Sequence, residues 1–537
     1  MTLRQFKPFS RKQVDNLETI PAVIHNSCLE NADRFAIVEG DEKVTYKELG
    51  SRVTECAKAF IAAGITKGDR VGLWAPNSAE WIVIALGIQS VGASLVPINT
   101  RYKPGEASYP LQKTEAKILF TADGFMGIEG VEAARKAEGE SGIRIRTIDI
   151  NEDDEQDHSF SAFLSNGQNI DDDLVAQALN EVSAVTLCDI MFTSGSTGKP
   201  KGVRHQHGPT VRQTFNTIEE NQLTSEDRML VINPFFHVFG YTGGWVPALF
   251  SGATVYPFPI FDVDQVLEII QDQGITYFPG PPTIFHSLLE HPRLHEYDVN
   301  SLRFSLTGSA DVPVDLIQRM LDELTFDRVV QAYGMTECGT ATNTIASDSP
   351  ETIATTIGKA SKDLEVRIVD DQNNPLDPGE KGEIVVRGYA VMDGYLNDDE
   401  ATSAAIDQEG WLHTGDLGTC DENGYFQILG RIKDMIIVGG FNVYPAEVED
   451  IMRENPSIRD VALIGVPDER LGEVGCAFVI LRESISSDDI HLWCRENMAN
   501  FKVPRYIEFL EEFPLTGSNK ISKLDLRDLA EQKQIGR

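Results

Sequence analysis

The chain of 537 residues is short of positive charge: 47 lysines and arginines stand against 83 aspartates and glutamates, a formal net charge of -36. A molecule so charged repels nucleic acid and anionic membrane at long range, which excludes general electrostatic binding to either. Organised cysteine is lacking as well. The seven cysteines, at 28, 56, 188, 338, 420, 476 and 494, are scattered, odd in number and form no C-x-x-C pair. Neither a disulfide framework nor a zinc site fits that spacing, so reduced thiols in a cytoplasmic protein are expected. Long apolar runs are absent too. The most membrane-like stretch, residues 81–98, is broken by Gln89, Ser90 and Ser94 and preceded by Asn77, Ser78 and Glu80. It reads as a buried helix followed by a strand, and no transmembrane segment is expected. Residues 1–12 carry charges and no apolar core, which argues against a secretory leader. The acidic runs 149–157 and 171–173 lack the spaced glycine of a calcium loop and read as solvated loops.

What is present is the composition of a soluble globular protein, 41% apolar and 24% charged, long enough for a large N-terminal region and a smaller second one. Thr45 with Glu48 forms a capping box opening a helix to about Ala63. Apolar runs predict strands at 70–74, 93–97 and 117–121 around a helix at 78–91. After Gln206 the rhythm recurs, with strands at 228–232, 253–256, 277–278 and 302–307 and helices at 263–272 and 282–290. The fold class is therefore α/β, with parallel sheets covered by helices. Residues 365–430 turn to shorter, glycine-punctuated strands, a β-rich subdomain. A boundary is expected at Gly430-Arg431-Ile432-Lys433-Asp434, dividing residues 1–430 from a small, mobile α/β domain at 431–537 with strands at 461–466 and 477–481.

The densest chemistry is Thr193-Ser194-Gly195-Ser196-Thr197-Gly198-Lys199-Pro200-Lys201-Gly202, which follows the apolar strand end Ile190-Met191-Phe192. Three glycines admit backbone N–H groups to phosphate oxygens, four hydroxyls donate further bonds, and two lysines neutralise charge. That is a polyphosphate site. The P-loop of ATPases is excluded, because only Ser196 and Thr197 separate Gly195 from Gly198 and Pro200 follows Lys199. The stretch instead resembles, nearly residue for residue, the phosphate loop of the adenylate-forming superfamily, to which acyl-CoA synthetases, peptide-synthetase adenylation domains and beetle luciferases belong.

Further segments extend the resemblance in order. Gln331-Ala332-Tyr333-Gly334-Met335-Thr336-Glu337 resembles that family's aromatic-Gly-x-Thr-Glu motif; it implies that Tyr333 packs on adenine, Thr336 bonds phosphate, and Glu337, with Thr197, helps hold Mg²⁺. One carboxylate beside a hydroxyl suits magnesium, which keeps water and phosphate oxygens as its other ligands. Gly308-Ser309-Ala310 resembles the loop along the adenine edge. Trp411-Leu412-His413-Thr414-Gly415-Asp416 matches the Thr-Gly-Asp segment, implying that Asp416 takes both ribose hydroxyls, as two acceptor oxygens can, while His413 is structural. Arg431 adds a ribose or phosphate contact and Lys433 stands at the hinge position.

Pro514-Leu515-Thr516-Gly517-Ser518-Asn519-Lys520-Ile521 resembles the family's catalytic lysine loop, with Lys520 as the lysine that stabilises charge on the transition state. Asn519 stands where glycine is usual; asparagine tolerates positive φ best among other residues, and Lys523 remains a rival. Gly439, Gly440 and Phe441 resemble the segment that closes on the pantetheine tunnel of CoA. Asn233-Pro234-Phe235-Phe236-His237-Val238-Phe239-Gly240 resembles the aromatic segment of fatty and aromatic acid ligases, where His237 either lies near the substrate carboxylate or is a satisfied core group. Phe235, Phe236, His237, Gly280, Gly308 and Gly334 are the candidates for an acyl pocket, and these aromatics either line it or merely pack.

The resemblance implies an acyl-CoA synthetase that uses ATP, Mg²⁺ and coenzyme A, makes acyl-AMP and pyrophosphate, and passes the acyl group to CoA. Residues 236–241 with 258–262 look closest to ligases for medium-chain, alicyclic or steroid-derived acids. Two readings stand beside it: an adenylation domain loading a carrier protein, against which the absence of a downstream carrier sequence counts, and a non-catalytic acyl-nucleotide sensor, against which intact Glu337, Asp416, Arg431 and Lys520 count. A homodimer is left open.

Overall fold

The structure of the protein, a computed structural model, describes residues 18–152, 158–193, 200–308, 312–438, 441–468, 470–516 and 520–536. Of the residues singled out above, Ser194, Gly195, Ser196, Thr197, Gly198, Lys199, Ser309, Ala310, Gly439 and Gly440 lie outside the described residues, as do Gly517, Ser518 and Asn519. Packing groups the chain into two compact units, residues 1–365 with 387–412, and residues 366–386 with 413–537.

The first unit is built on strands separated by helices, as the apolar periodicity predicts. Its largest sheet has six strands. In spatial order these are Arg146–Asp149, Ile118–Thr121, Arg70–Trp74, Ser94–Pro97, Leu187–Thr193 (β1) and Lys201–Gln206 (β2). All pair in parallel except β1 with β2, which form an antiparallel hairpin around the phosphate loop. Helix α1, His207–Asn221, follows β2 directly. Ser78 caps the helix Ala79–Ser90 by accepting the Trp81 N–H at 3.1 Å, and every residue of that helix except Glu80 is buried. The membrane-like run is thus core, and no described helix is long and apolar enough to cross a membrane. A second sheet runs Glu42–Thr45, Phe35–Glu39, Thr254–Pro257 and Arg228–Val231. The third comprises Phe304–Gly308 (β3), Arg328–Met335 (β4), Gly339–Asn343 (β5) and Lys359–Ala360. The strand expected at 277–278 is reduced to single bridges from Tyr277 to Met229 and Phe304, because the chain there only links two sheets.

The second unit holds two sheets. Leu364–Val369, Gly382–Gly388, Leu412–Cys420 and Phe426–Arg431 make the expected β-rich layer. Ile436–Val438, Phe441–Val443, Ile458–Asp468, Gly472–Leu481 and Tyr506–Phe509 make the other, which buries Val448, Phe478 and Leu526. By packing, the β-rich layer goes with the C-terminal residues. A division at Gly430 is therefore one of catalytic roles, taken up below as a proposal.

Candidate active site

In the first unit, β4 and β5 are joined by a tight turn at residues 336–338, closed by the Cys338 N–H to the Met335 carbonyl at 3.1 Å. Two glycines here, Gly334 of β4 and Gly308 of the neighbouring β3, have no steric alternative. A Cβ on Gly334 would stand 2.0 Å from the Gly339 carbonyl oxygen, and one on Gly308 would stand 2.3 Å from the Ala332 carbonyl oxygen. Tyr333, on β4 opposite Thr342, is buried. Met335 is half-buried beside it.

Thr336 and Glu337 at the turn are held from two sides. The Tyr395 hydroxyl donates to Glu337 Oε1 at 2.9 Å, and the Met392 N–H donates to the Glu337 carbonyl at 2.8 Å. Burial and the neighbouring Glu337 carboxylate push the Tyr395 phenol well above its ordinary pKa, so it stays a donor. The ammonium of Lys201, first residue of β2, stands 4.8 Å from the centre of the Tyr395 ring. The last described residue before the phosphate loop is Thr193, paired with Lys201. On the other side His205 of β2 reaches the Thr336 carbonyl with Nε2 at 2.7 Å and Asp189 Oδ1 with Nδ1 at 2.6 Å. Burial acts to lower its pKa, but Asp189, the Thr336 carbonyl and Glu337 together raise it. Sequence reasoning passed over Asp189, His205 and Tyr395.

The aromatic segment divides. Phe235 is buried against Trp81 and Trp245, at ring distances of 5.3 and 6.3 Å, so it belongs to the core. Phe236 and His237 are half-buried. His237 caps the short helix Val238–Gly240, its Nδ1 accepting the Phe239 N–H at 3.2 Å. Gly280 makes only ordinary contacts, its Cβ position lying 3.5 Å from Ile284 and Phe285. A cavity of about 190 Å³ lies beyond His237, between Val238 and Thr242, Gln213 of α1, Gly339 of β5, and Asp189, His205 and Met392. None of the six residues nominated for an acyl pocket lines it. Val238, next to His237 in sequence, and Gly339 of β5 do.

In the second unit Asp416 and Arg431 face each other across paired strands, with Nε 2.6 Å from Oδ1. Asp416 is almost wholly buried. His413, for which a structural role is expected, pairs with Glu383 at 2.8 Å, and the other oxygen of that carboxylate takes the Gly415 N–H at 2.9 Å. Lys520 is exposed as a residue, yet loss of water around its ammonium, and then the Arg431 guanidinium, lower its pKa against the pull of Asp416. It therefore stands within electrostatic reach of both. Thr516 ties the loop by donating its N–H to the Lys520 carbonyl at 2.7 Å and accepting the Lys520 N–H at 3.2 Å. Lys523 is committed elsewhere, 2.9 Å from the buried Glu449, which also accepts the Leu463 N–H at 2.7 Å. Lys433 lies in the short turn Ile432–Asp434, its pKa lowered by burial and then by Arg431. Phe441 opens the strand Phe441–Val443.

The family described as AMP-binding enzyme matches residues 24–396, and its C-terminal domain matches residues 447–520. The chain belongs to that family. It is an acyl-CoA synthetase of the adenylate-forming superfamily, similar over its length to named acid-CoA ligases. A 3-[(3aS,4S,7aS)-7a-methyl-1,5-dioxo-octahydro-1H-inden-4-yl]propanoyl:CoA ligase of Rhodococcus jostii (strain RHA1) is 42% identical, over 95% of this chain and 98% of that one. A feruloyl-CoA synthase of an Amycolatopsis species is 37% identical, over 92% and 95%. The crystal structure of the anthranilate CoA ligase AuaEII in complex with anthranoyl-AMP superposes with a TM-score of 0.84 at 26% identity, covering 98% of this chain and all of that one.

Proposed function

We propose that this synthetase activates a hydrophobic acid of medium size, with propanoate side chains on alicyclic, steroid-derived rings as the first class to test, in two half-reactions. The observation that carries the substrate class is the near full-length similarity to the indenyl-propanoate ligase. The cavity bounded by Val238 and Thr242 is our candidate for the acyl group.

In the first half-reaction the substrate carboxylate attacks the α-phosphorus of ATP, forming acyl-AMP and releasing pyrophosphate. The phosphate-loop residues Thr193 to Lys201 and Thr336 bind the phosphates, Tyr333 packs on adenine, and Asp416, oriented by Arg431, accepts the ribose hydroxyls. Lys520 offsets negative charge that grows between carboxylate and α-phosphate, an effect strengthened where water is excluded. Glu337, already fixed by Tyr395, would with Thr197 hold a magnesium ion; among the described residues no cluster of three or more acidic, cysteine or histidine side chains offers an all-protein cage. When bound, that ion would neutralise the leaving pyrophosphate. In the second half-reaction the CoA thiol displaces AMP, with Gly439, Gly440 and Phe441 along the pantetheine path. A backbone turn at Lys433 separates the two catalytic states, which is the sense of a division between 1–430 and 431–537. All seven cysteines are free and six are buried, which suits a reducing cytoplasm.

A panel of acids scored by CoA thioester formation tests the substrate class. Bicyclic and alicyclic propanoates should give the highest kcat/KM; a clear preference for long straight chains or for cinnamate-type acids overturns the assignment.

A further inference from the structure

We propose that Asp189 and His205 are positioning residues that hold the Thr336–Glu337 turn at a fixed distance from the hairpin carrying the phosphate loop. The proposal rests on the adenylation reading above and adds residues to it.

The two residues are direct cross-strand partners in the β1–β2 ladder. Asp189 is 1% exposed and His205 14%. One ring nitrogen meets a carboxylate and the other a backbone carbonyl, both acceptors, so each nitrogen donates and the ring carries two protons. The second Asp189 oxygen accepts the Cys188 thiol at 3.2 Å, which fixes the carboxylate in turn. Charge-assisted bonds of this length are stiff, and an imidazolium is a rigid plane. It therefore sets the separation between β2 and the turn. The strands it braces run straight into Thr193 and Lys201 at the two ends of the phosphate loop, while the carbonyl it grips belongs to the residue next to Glu337. Tyr395 makes a parallel link, under Lys201 and onto Glu337. Two independent braces thus join the group that holds phosphates to the turn that faces them. Because Asp189 and His205 also border the cavity, a role as pocket wall is the competing outcome of the test.

The test compares the parent protein with His205→Phe, with Asp189→Asn/His205→Phe, and with His205→Lys. Phe keeps a ring and removes both donors; the double variant also removes the buried carboxylate charge, so it folds without an unpaired anion. Lys restores a cation able to serve both acceptors. Deuterium uptake across residues 331–343 should rise in both Phe variants while uptake elsewhere in the unit stays at the parental level. Pyrophosphate exchange should fall roughly ten- to a hundredfold, as expected for a misplaced catalytic turn, and by the same factor for acids of different size, with KM for each acid little changed. Thioester formation from supplied acyl-AMP should persist, and Lys should recover part of the exchange. Unchanged uptake, a loss that differs from acid to acid, or an equal loss in both half-reactions overturns the proposal. Absence of exchange in the parent would refute the adenylation reading instead, and the uptake comparison would still decide the brace.

Discussion

Lys520→Ala and Lys523→Ala should separate cleanly into a catalytic and a structural variant. Lys523 is about a quarter exposed and pairs with Glu449, whose side chain is 8% exposed. Removing the ammonium leaves a buried carboxylate with the Leu463 N–H as its remaining partner in this cluster. A fully buried pair broken this way costs about 3–5 kcal/mol; partial exposure of the lysine reduces that to about 2–3 kcal/mol, in the range of a hydrogen bond to a charged group. For a unit of this size each kcal/mol moves the midpoint by roughly 2–4 °C, so the transition of the C-terminal unit should drop by about 5–10 °C. Adenylation below that temperature should stay near parental. Lys520 is exposed and among the described residues its ammonium forms no ion pair, so its loss should leave the midpoint nearly unmoved. Its role is charge stabilisation in the transition state, worth about 3 kcal/mol or more, or about a hundredfold in rate. Differential scanning calorimetry and pyrophosphate exchange on the same preparations read both effects. If Lys523→Ala abolishes exchange at an unchanged midpoint while Lys520→Ala retains it, the assignment of the two lysines is refuted.

The lowered pKa of Lys520 sets the alkaline limb of adenylation: the charged form is the active one, so exchange should decline at a pH below that of an ordinary lysine, and an enzyme whose rate holds through pH 10.5 contradicts this. Burial raises Glu39 to about 7 although the Ala79 N–H bonds it. Its folded pKa is above the unfolded one, so its contribution to stability is present at low pH and lost as pH rises towards 7; Glu39→Gln should therefore raise the thermal midpoint more at pH 8 than at pH 5. Gly334→Ala, with no room for its Cβ beside the Gly339 carbonyl, should displace the turn and cut exchange by roughly tenfold or more; a variant with parental exchange would show that the strands relax freely.

Much of the first unit was legible, because its strands and helices differ in period and their ends carry caps. The capping box at Thr45 and Glu48 and the serine at 78 placed their helices within a residue or two. The segment at Tyr277 misled, since an apolar pair can bridge two sheets without forming a strand. The acyl pocket was the least legible part. Phe235 carries the same side chain whether it lines a cavity or meets Trp81, and only the register of the turn after Asn233 decides. The Asp189–His205 pair was within reach: folding the chain back about the phosphate loop, with Thr193 against Lys201, brings these two residues opposite each other. What that step could not supply is the Thr336 carbonyl, more than a hundred residues away.

The most direct measurement is pyrophosphate exchange: purified protein with Mg²⁺, ATP and a hydrophobic propanoate, but no CoA, should incorporate labelled pyrophosphate into ATP, because acyl-AMP forms before the thiol is needed. Strict dependence of exchange on CoA, or ADP in place of AMP as the product, would contradict the account.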